Sequence, residues 1–179
     1  MKLVILDRDG VINEDSKNYI KSPEEWVPIE GSLDAIRFLN ENGYTVVVAT
    51  NQSAVSKKLF SLSTLDEIHK KMQGLLKVKN AKIDKIFFCP HTDDDNCSCR
   101  KPKNGLMKEI SKYYKINLKN VPSIGDSTRD LEAFSASDAQ PILVRTGNGK
   151  TVEKNKMYPK NTLIFDNLLE ASKFIVKSE

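Results

Sequence analysis

The stretch Val4-Ile5-Leu6-Asp7-Arg8-Asp9-Gly10, close to the start of the chain, decides the fold that we predict. Its apolar half is typical of a short buried β-strand, and Gly10 lets the backbone turn away sharply after it. Asp7 and Asp9 are two residues apart at the strand end, so their carboxylates point to the same side. Two such carboxylates repel each other, and a bound cation relieves the repulsion. The stretch predicts a cation site; a solvated Asp-x-Asp turn is the simpler alternative.

Length and composition indicate one globular domain over residues 1–179. A chain of 179 residues with 39% hydrophobic and 29% charged residues has enough material to bury a core and is expected to bury roughly 70% of its unfolded surface. The longest apolar run, Val46–Ala49, is far too short to span a bilayer. Because Met1-Lys2 leads directly into the first strand, without an apolar signal segment, we expect a cytoplasmic protein without a membrane partner.

The charge balance restricts the kind of ligand that we expect. The net charge is +4, from 28 basic and 24 acidic residues, which is too mild and too dispersed for binding nucleic acid. No basic face interleaved with aromatic residues is evident either. The balance suits a small phosphorylated metabolite as partner, and we expect a monomer.

Strand-like and helix-like segments alternate along the rest of the chain. Further strands are predicted at Tyr44–Ala49, Ile83–Phe88, Val121–Ile124, Pro141–Val144 and Thr162–Phe165. The alternation predicts an α/β fold with a doubly wound, three-layer (α/β/α), Rossmann-like and mostly parallel sheet. In such sheets ligands bind beyond the carboxyl ends of the strands. The chain leaves no room for a large cap domain, so the segment Val11–Pro28 is predicted to form a flap over the site.

Helix signals predict the surroundings of several side chains. Ser32 is predicted to cap the first helix, and Ser63 and Thr64 carry a capping-box pattern at the start of the second. His69 falls off the apolar stripe of the second helix and is predicted to be a solvated surface residue. Trp26, within the flap, is predicted to belong to the core.

A loop in the middle of the chain has the spacing of a metal site, Cys89-x-His91-x5-Cys97-x-Cys99. Three thiolates and one imidazole complete a tetrahedral site without an open position, which is typical of structural Zn²⁺. All 3 cysteines of the chain lie in this loop, whereas a secreted disulfide framework would use an even, dispersed set. We predict a zinc-stapled loop rather than incidental cysteines. Asp93-Asp94-Asp95 inside the loop is predicted to be solvated.

Four segments in order resemble the motifs of the haloacid dehalogenase-like phosphatases. The segments are Asp7–Asn13, Thr50–Ser53, Cys89–His91 with Cys97–Pro102, and Gly125-Asp126 with Asp130. The subgroup they resemble comprises the heptose-bisphosphate and histidinol-phosphate phosphatases. The resemblance covers nearly the whole chain.

The resemblance implies a phosphomonoester hydrolase that acts through an aspartyl-phosphate. Asp7 would attack phosphorus, and Asp9 would protonate the leaving oxygen and later accept a proton from water. Thr50 and Lys101 would bind the phosphoryl group. The family assigns Mg²⁺ to Asp7, the main-chain carbonyl of Asp9, and Asp126. Asp130 remains open between a further acid near the metal and a residue that stabilises a helix start.

The same resemblance implies which side chains contact the substrate. We expect substrate contacts from Arg100, Asn51, Gln52, Ser53, Asp15, Asn18, Tyr19 and Ser127. Arg100 offers a bidentate fork to phosphate. If zinc clips the loop, it would also position Arg100 and Lys101.

Three functional alternatives follow from the sequence. Asn13, Thr50–Ser53 and the segment around Arg145 look more like the enzymes that remove the 7-phosphate of D-glycero-D-manno-heptose 1,7-bisphosphate, a precursor of the lipopolysaccharide core. The alternatives are a histidinol-phosphate phosphatase and an inactive, zinc-stabilised binding module. The chain departs from the heptose pattern at Ala54–Lys58, where the family usually has a Gly and an Arg. Gly147–Thr151 is predicted to be a turn, because the first glycine of a P-loop is missing.

Overall fold

A six-stranded parallel sheet forms the centre of the computed structural model, which describes residues 1–178. Its strands are β1 (Lys2–Leu6), β2 (Tyr44–Asn51), β3 (Lys85–Cys89), β4 (Pro122–Gly125), β5 (Gln140–Val144) and β6 (Leu163–Phe165). They lie in the order β3-β2-β1-β4-β5-β6, and every adjacent pair is parallel. The order reverses between β1 and β4, which is where doubly wound sheets open a crevice for ligands.

Helices cover both faces of this sheet. They are α1 (Ser32–Glu41), α2 (Leu62–Val78), α3 (Gly105–Tyr114), α4 (Thr128–Ser135), α5 (Gly149–Lys154) and α6 (Leu168–Lys177). Alternate residues of a strand point to opposite faces. Val4 and Leu6 therefore pack with α1, α2 and α6, while Leu3 and Ile5 pack with α3, α4 and α5. The predicted three-layer α/β/α fold is confirmed.

The N-cap residues of the first two helices precede the predicted caps. The N-cap of α1 is Gly31, in the left-handed region at φ 78°, and the Ser32 hydroxyl instead donates to the carbonyl of Ile12 at 2.6 Å. Ser61 caps α2 by accepting a hydrogen bond from the Thr64 amide at 3.1 Å. Both cap predictions were wrong because serine hydroxyls near a helix start have competing partners that the sequence does not reveal.

The flap between β1 and α1 is fixed at its base. Asn13 forms isolated bridges to Asp9 and to Pro28. The Lys71 ammonium on α2 donates to the Trp26 carbonyl at 2.9 Å, and the Trp26 side chain is fully buried. Trp26 is a core residue, as predicted. None of the helices within residues 1–178 has the length and apolar character needed to cross a bilayer.

Candidate active site

The carboxyl ends of the central strands surround one cavity of about 330 Å³. Asp7 follows β1 and Asp126 follows β4, while Lys101 reaches the same edge from the loop after β3. The predicted residues that line the cavity are Asp7, Asp9, Asp15, Tyr19, Asn51, Gln52, Ser53, Arg100, Lys101, Asp126 and Ser127. Because parallel strands bring these ends together, residues far apart in the sequence form one site.

Lys101 lies at the base of the cavity between two carboxylates. Its Nζ is 2.9 Å from Asp7 Oδ1 and 2.5 Å from Asp130 Oδ1, and it donates to the Ala49 carbonyl at 2.6 Å. Lys101 is 1% exposed. Burial lowers the pKa of Lys101, but the charges of Asp130 and Asp7 outweigh burial and raise it above its ordinary value. The ammonium is therefore a fixed positive charge beside Asp7.

Carboxylates outnumber the cations at this point of the cavity. Burial and the charge of Asp130 raise the pKa of Asp7 to about 7, although Lys101 opposes the shift. Burial and the charges of Asp130 and Asp7 raise the pKa of Asp126 well above its ordinary value. One lysine does not balance three buried acids, so the site favours a further cation.

The donor set fits Mg²⁺. Carboxylate oxygens of Asp7, Asp126 and Asp130 lie within 4.8 Å of one another, and Mg²⁺ prefers oxygen ligands. Asp130 is already occupied, because Oδ1 pairs with Lys101 and Oδ2 accepts from the Ser127 amide in a capping box at the start of α4. Asp130 therefore caps α4 and also pairs with the lysine beside Asp7, and of the three acids Asp7 and Asp126 have more free oxygen to offer a cation.

Two glycines allow other parts of the chain to approach Asp126 closely. Gly10 and Gly147 have φ of +80° and +53°, and a Cβ atom on either would overlap the Asp126 carboxylate. The Asn148 amide donates to Asp126 Oδ2 at 2.7 Å, and the Asn148 side chain donates to the same oxygen at 3.1 Å. Asp126 Oδ2 is therefore held in place by the turn after β5.

Asp9 is held by three side chains. Arg8 Nη2 donates to Asp9 Oδ1 at 2.9 Å, Asn13 Nδ2 donates to the same oxygen at 2.9 Å, and Gln52 Nε2 donates to Oδ2 at 2.8 Å. Burial raises the pKa of Asp9, but the charge of Arg8 and the hydrogen bonds from Asn13, Arg8 and Gln52 outweigh burial and lower it. Gln52 also donates to the Thr50 hydroxyl at 2.9 Å. Asp9 and Thr50 are thus oriented by a common neighbour.

The Cys/His loop brings its four predicted ligands together. The Cys89 and Cys97 sulfurs, and those of Cys97 and Cys99, are 3.6 Å apart, and those of Cys89 and Cys99 are 2.9 Å apart. His91 Nδ1 lies 3.4 Å from the Cys99 sulfur. A tetrahedral zinc site places its sulfurs about 3.8 Å apart. The four ligand types and their grouping within 4.8 Å of one another fit a structural zinc ion, while the Cys89 and Cys99 sulfurs lie closer together than a bound ion would hold them.

Arg100 is anchored to this loop. Its Nη1 donates to the His91 carbonyl at 3.2 Å, and its Nε donates to Asp93 Oδ1 at 2.9 Å. Arg129 on α4 also reaches Asp93, at 3.4 Å. Asp93 is exposed, as predicted, but the fold also brings two arginines to it, which the sequence did not indicate.

The remaining predicted substrate residues have different surroundings. Asn51 exchanges two hydrogen bonds with the main chain of Lys101, at 3.0 and 3.1 Å. Tyr19 lines the cavity and accepts from Lys57 Nζ at 2.5 Å. Asn18 does not line the cavity; it is exposed, and its carbonyl accepts from Lys21. The structure therefore does not bring Asn18 to the other site residues.

Several residues of the site were not predicted from the sequence. Arg129 and Asn148 line the cavity, and buried His69 contacts Arg8. The turn predicted at 147–151 is a turn only at Gly147 and Asn148, because the next three residues belong to α5. The position of this segment after β5 was a usable signal for Asn148, because β5 ends at the same edge of the sheet. The prediction that His69 is solvated was wrong. The spacing of apolar residues along α2 identifies the face that packs on the core, but it does not reveal a buried polar partner such as Arg8.

Known proteins are similar to this chain in sequence along almost its whole length. The family described as "Polynucleotide kinase 3 phosphatase" matches residues 2–156. A D-glycero-beta-D-manno-heptose-1,7-bisphosphate 7-phosphatase of Neisseria meningitidis serogroup A is 47% identical over 99% of this chain and 96% of its own. The protein of the same name from Pseudomonas putida is 49% identical over 98% of this chain and 100% of its own.

A solved structure agrees with these relatives. The D,D-heptose 1,7-bisphosphate phosphatase from B. bronchiseptica, crystallised with magnesium and phosphate, has a TM-score of 0.98 and 43% identity, with 100% of both chains covered. The doubly wound sheet, with its acidic cluster and buried lysine at one edge, defines a phosphatase of the haloacid dehalogenase-like class. The chain belongs to the haloacid dehalogenase-like phosphatases, and the two relatives described above, which match it over almost its whole length, are named for heptose bisphosphate.

Proposed function

We propose that this chain removes the 7-phosphate of D-glycero-D-manno-heptose 1,7-bisphosphate by way of an aspartyl-phosphate on Asp7. The observation that carries the proposal is the contact between Lys101 and Asp7 at the floor of the cavity. The activity for which the two full-length relatives are named supports the choice of heptose bisphosphate as the substrate. In this account Asp7 attacks phosphorus, and Lys101 and the Thr50 hydroxyl neutralise and bind the equatorial oxygens.

Asp9 is proposed to move the protons. Its carboxyl group would protonate the sugar oxygen as the bond to phosphorus breaks, and its carboxylate would then take a proton from the water that hydrolyses the aspartyl-phosphate. The hydrogen bonds from Arg8, Asn13 and Gln52 fix the orientation of the group and favour its ionised form, which is the form that takes the proton from water. A general acid and base that is held in one orientation accelerates the reaction more than a mobile one.

Mg²⁺ is proposed to be held by Asp7, the main-chain carbonyl of Asp9, and Asp126. When bound, it would neutralise negative charge on the phosphoryl group and on the acidic cluster. The magnesium and phosphate in the B. bronchiseptica structure support this choice of cofactor. Zn²⁺ is proposed for Cys89, His91, Cys97 and Cys99.

The lining of the cavity suits a substrate with a second phosphate. It includes Arg100, Arg129 and Lys17, and arginine binds phosphate oxygens through two parallel donors. We propose substrate contacts from these cations and from Asp15, Tyr19, Asn51, Ser53 and Ser127.

The chain is further proposed to act as a single domain and as a monomer in the cytoplasm. Its strands form one sheet. The three cysteines are free thiols, which suits zinc binding in a reducing compartment.

The test is phosphate release from heptose 1,7-bisphosphate and, separately, from histidinol phosphate, each with and without Mg²⁺. We expect Mg²⁺-dependent turnover of the heptose and a loss of about 1,000-fold or more in Asp7→Asn, which lacks the nucleophile. Asp94→Asn, an exposed acid in the Cys/His loop, is the matched control and stays active. A preference for histidinol phosphate would overturn the proposed substrate assignment. Full activity of Asp7→Asn would overturn the proposed role of Asp7 as nucleophile.

A further inference from the structure

Arg8 connects the proposed acid and base to helix α2. Its side chain is almost completely buried, with 1% exposed. On one side, Nη2 donates to Asp9 Oδ1 at 2.9 Å and to Gln52 Oε1 at 3.1 Å. On the other side, Nη1 lies 3.2 Å from Nε2 of His69 on α2. The guanidinium group therefore contacts a carboxylate on one side and an imidazole on the other.

The contact with His69 has a defined direction. Arginine carries only donors and keeps its charge, so His69 Nε2 must accept the hydrogen bond, and the ring proton must be on Nδ1. His69 is buried. Within residues 1–178, Nη1 of Arg8 has no other acceptor at hydrogen-bond distance. His69 thus satisfies a buried donor that would otherwise lack a partner.

The contacts of Arg8 continue into the phosphate end of the site. Gln52, which accepts from Arg8, donates both to Asp9 and to the Thr50 hydroxyl. A change in the orientation of the guanidinium therefore reaches both Asp9 and Thr50. Nothing in the proposed chemistry uses His69 directly, because it lies behind Arg8 and does not line the cavity.

We propose that His69 is a positioning residue, whose Nε2 lone pair holds Arg8 in the orientation that presents the Asp9 carboxyl group to the leaving oxygen. The inference rests on the proposed role of Asp9. Without this acceptor, the Nη1 donor is unpaired in a buried position, and the guanidinium turns toward other acceptors. Asp9 then moves with it, and a displacement of about 1 Å in a reacting group is costly.

The test compares His69→Leu, which removes the acceptor, with His69→Gln, whose side-chain oxygen can accept from Arg8. Two substrates are needed, a sugar phosphate that the wild-type chain turns over and 4-nitrophenyl phosphate. The sugar oxygen needs a proton to leave, whereas nitrophenolate leaves without one. The kcat/KM value reports the step in which the leaving group departs, so a misplaced Asp9 penalises only the sugar phosphate.

We expect His69→Leu to lose about tenfold in kcat/KM on the sugar phosphate and less than about twofold on the aryl phosphate. His69→Gln should stay within about twofold of wild type on both. Equal losses on the two substrates, no loss, or a His69→Gln protein as impaired as His69→Leu would overturn the proposal. Met72→Leu, a buried apolar change on the same helix, controls for disturbance of the core and should affect neither substrate selectively.

Asp9→Asn separates this inference from the function on which it rests. If Asp9→Asn shows no selective loss on the sugar phosphate, the role of Asp9 fails rather than that of His69. Nitrogen-15 NMR of wild-type His69 needs no variant to fold. A neutral ring with unprotonated Nε2 supports the inference, and a proton on Nε2 overturns it.

Discussion

The Lys101 ammonium lies 2.9 Å from the carboxylate of Asp7, although the two residues are 94 positions apart in the chain. Asp7 ends β1, at the centre of the sheet, and Lys101 comes from the loop that follows the edge strand β3. The side chain of Asn51, at the end of β2, forms two hydrogen bonds with the main chain of Lys101 and so holds this loop in place. The buried contact therefore depends on three separate segments.

Replacing Lys101 with methionine keeps most of the length of the side chain and removes its charge. Asp7 and Asp130 then lose a buried partner, so we expect a loss of about 3 kcal/mol in the free energy of unfolding and a loss of about 100-fold in kcat. Urea unfolding and phosphate release measure the two effects. Lys108→Met, an exposed lysine on α3, should change neither. A Lys101→Met protein with wild-type kcat would show that the ammonium does not act on the phosphoryl group.

Gly147→Ala should weaken Mg²⁺ binding. The new Cβ atom would overlap Asp126 and approach Gly10, so Asp126 must move, and we expect the Mg²⁺ concentration for half-maximal activity to rise about tenfold or more. Gly74→Ala on α2 is the matched control. A Cβ atom there meets nothing within 4 Å, so it should stabilise the protein by up to about 1 kcal/mol. An unchanged Mg²⁺ requirement in Gly147→Ala would contradict the packing described for Asp126.

Loss of zinc should act through Arg100 and Lys101. Cys97→Ser removes one proposed ligand, and we expect it to bind less zinc and to lose about 10- to 100-fold in kcat/KM as these two side chains lose their fixed positions. Metal analysis and phosphate release are measured on the same preparation. Ser98→Ala, at the neighbouring exposed position, should keep both zinc and activity. A Cys97→Ser protein without zinc but with full turnover would disprove the link.

His69 should make the protein sensitive to acid. Burial and the charge of Arg8 lower the pKa of His69 to about 4, whereas the unfolded residue titrates near 6.5. The unfolded state therefore binds the proton first, and the free energy of unfolding falls as the pH drops from about 6.5 toward 4, by an order of 2 kcal/mol. Urea unfolding at pH 7 and pH 4.5 measures this loss, which His69→Gln should reduce. Lys70→Gln is the control and should lose as much stability between pH 7 and pH 4.5 as the wild type. If His69→Gln loses that same amount, His69 is not the cause of the acid sensitivity.

Most of the site could be predicted because its chemistry is carried by residue type and short spacing. Asp7 and Asp9 after an apolar strand, and three cysteines with one histidine in a single loop, remain recognisable without coordinates. His69 and Asp93 could not be placed in the same way. Each is an ordinary polar residue in a polar sequence, and only the arginines that the fold brings to them, Arg8 and Arg100, give them a role.

The sequence by itself determined the layer architecture, the edge of the sheet at which ligands bind, and the residue types available there. Local periodicity and short motifs carry that information, because they depend on neighbours along the chain. Only the tertiary structure decided that Lys101 is shared between Asp7 and Asp130, that the turn after β5 holds Asp126, and that His69 lies behind Arg8. These contacts join residues that are far apart in the chain, and their geometry is set by how strands and helices pack, which no local pattern records.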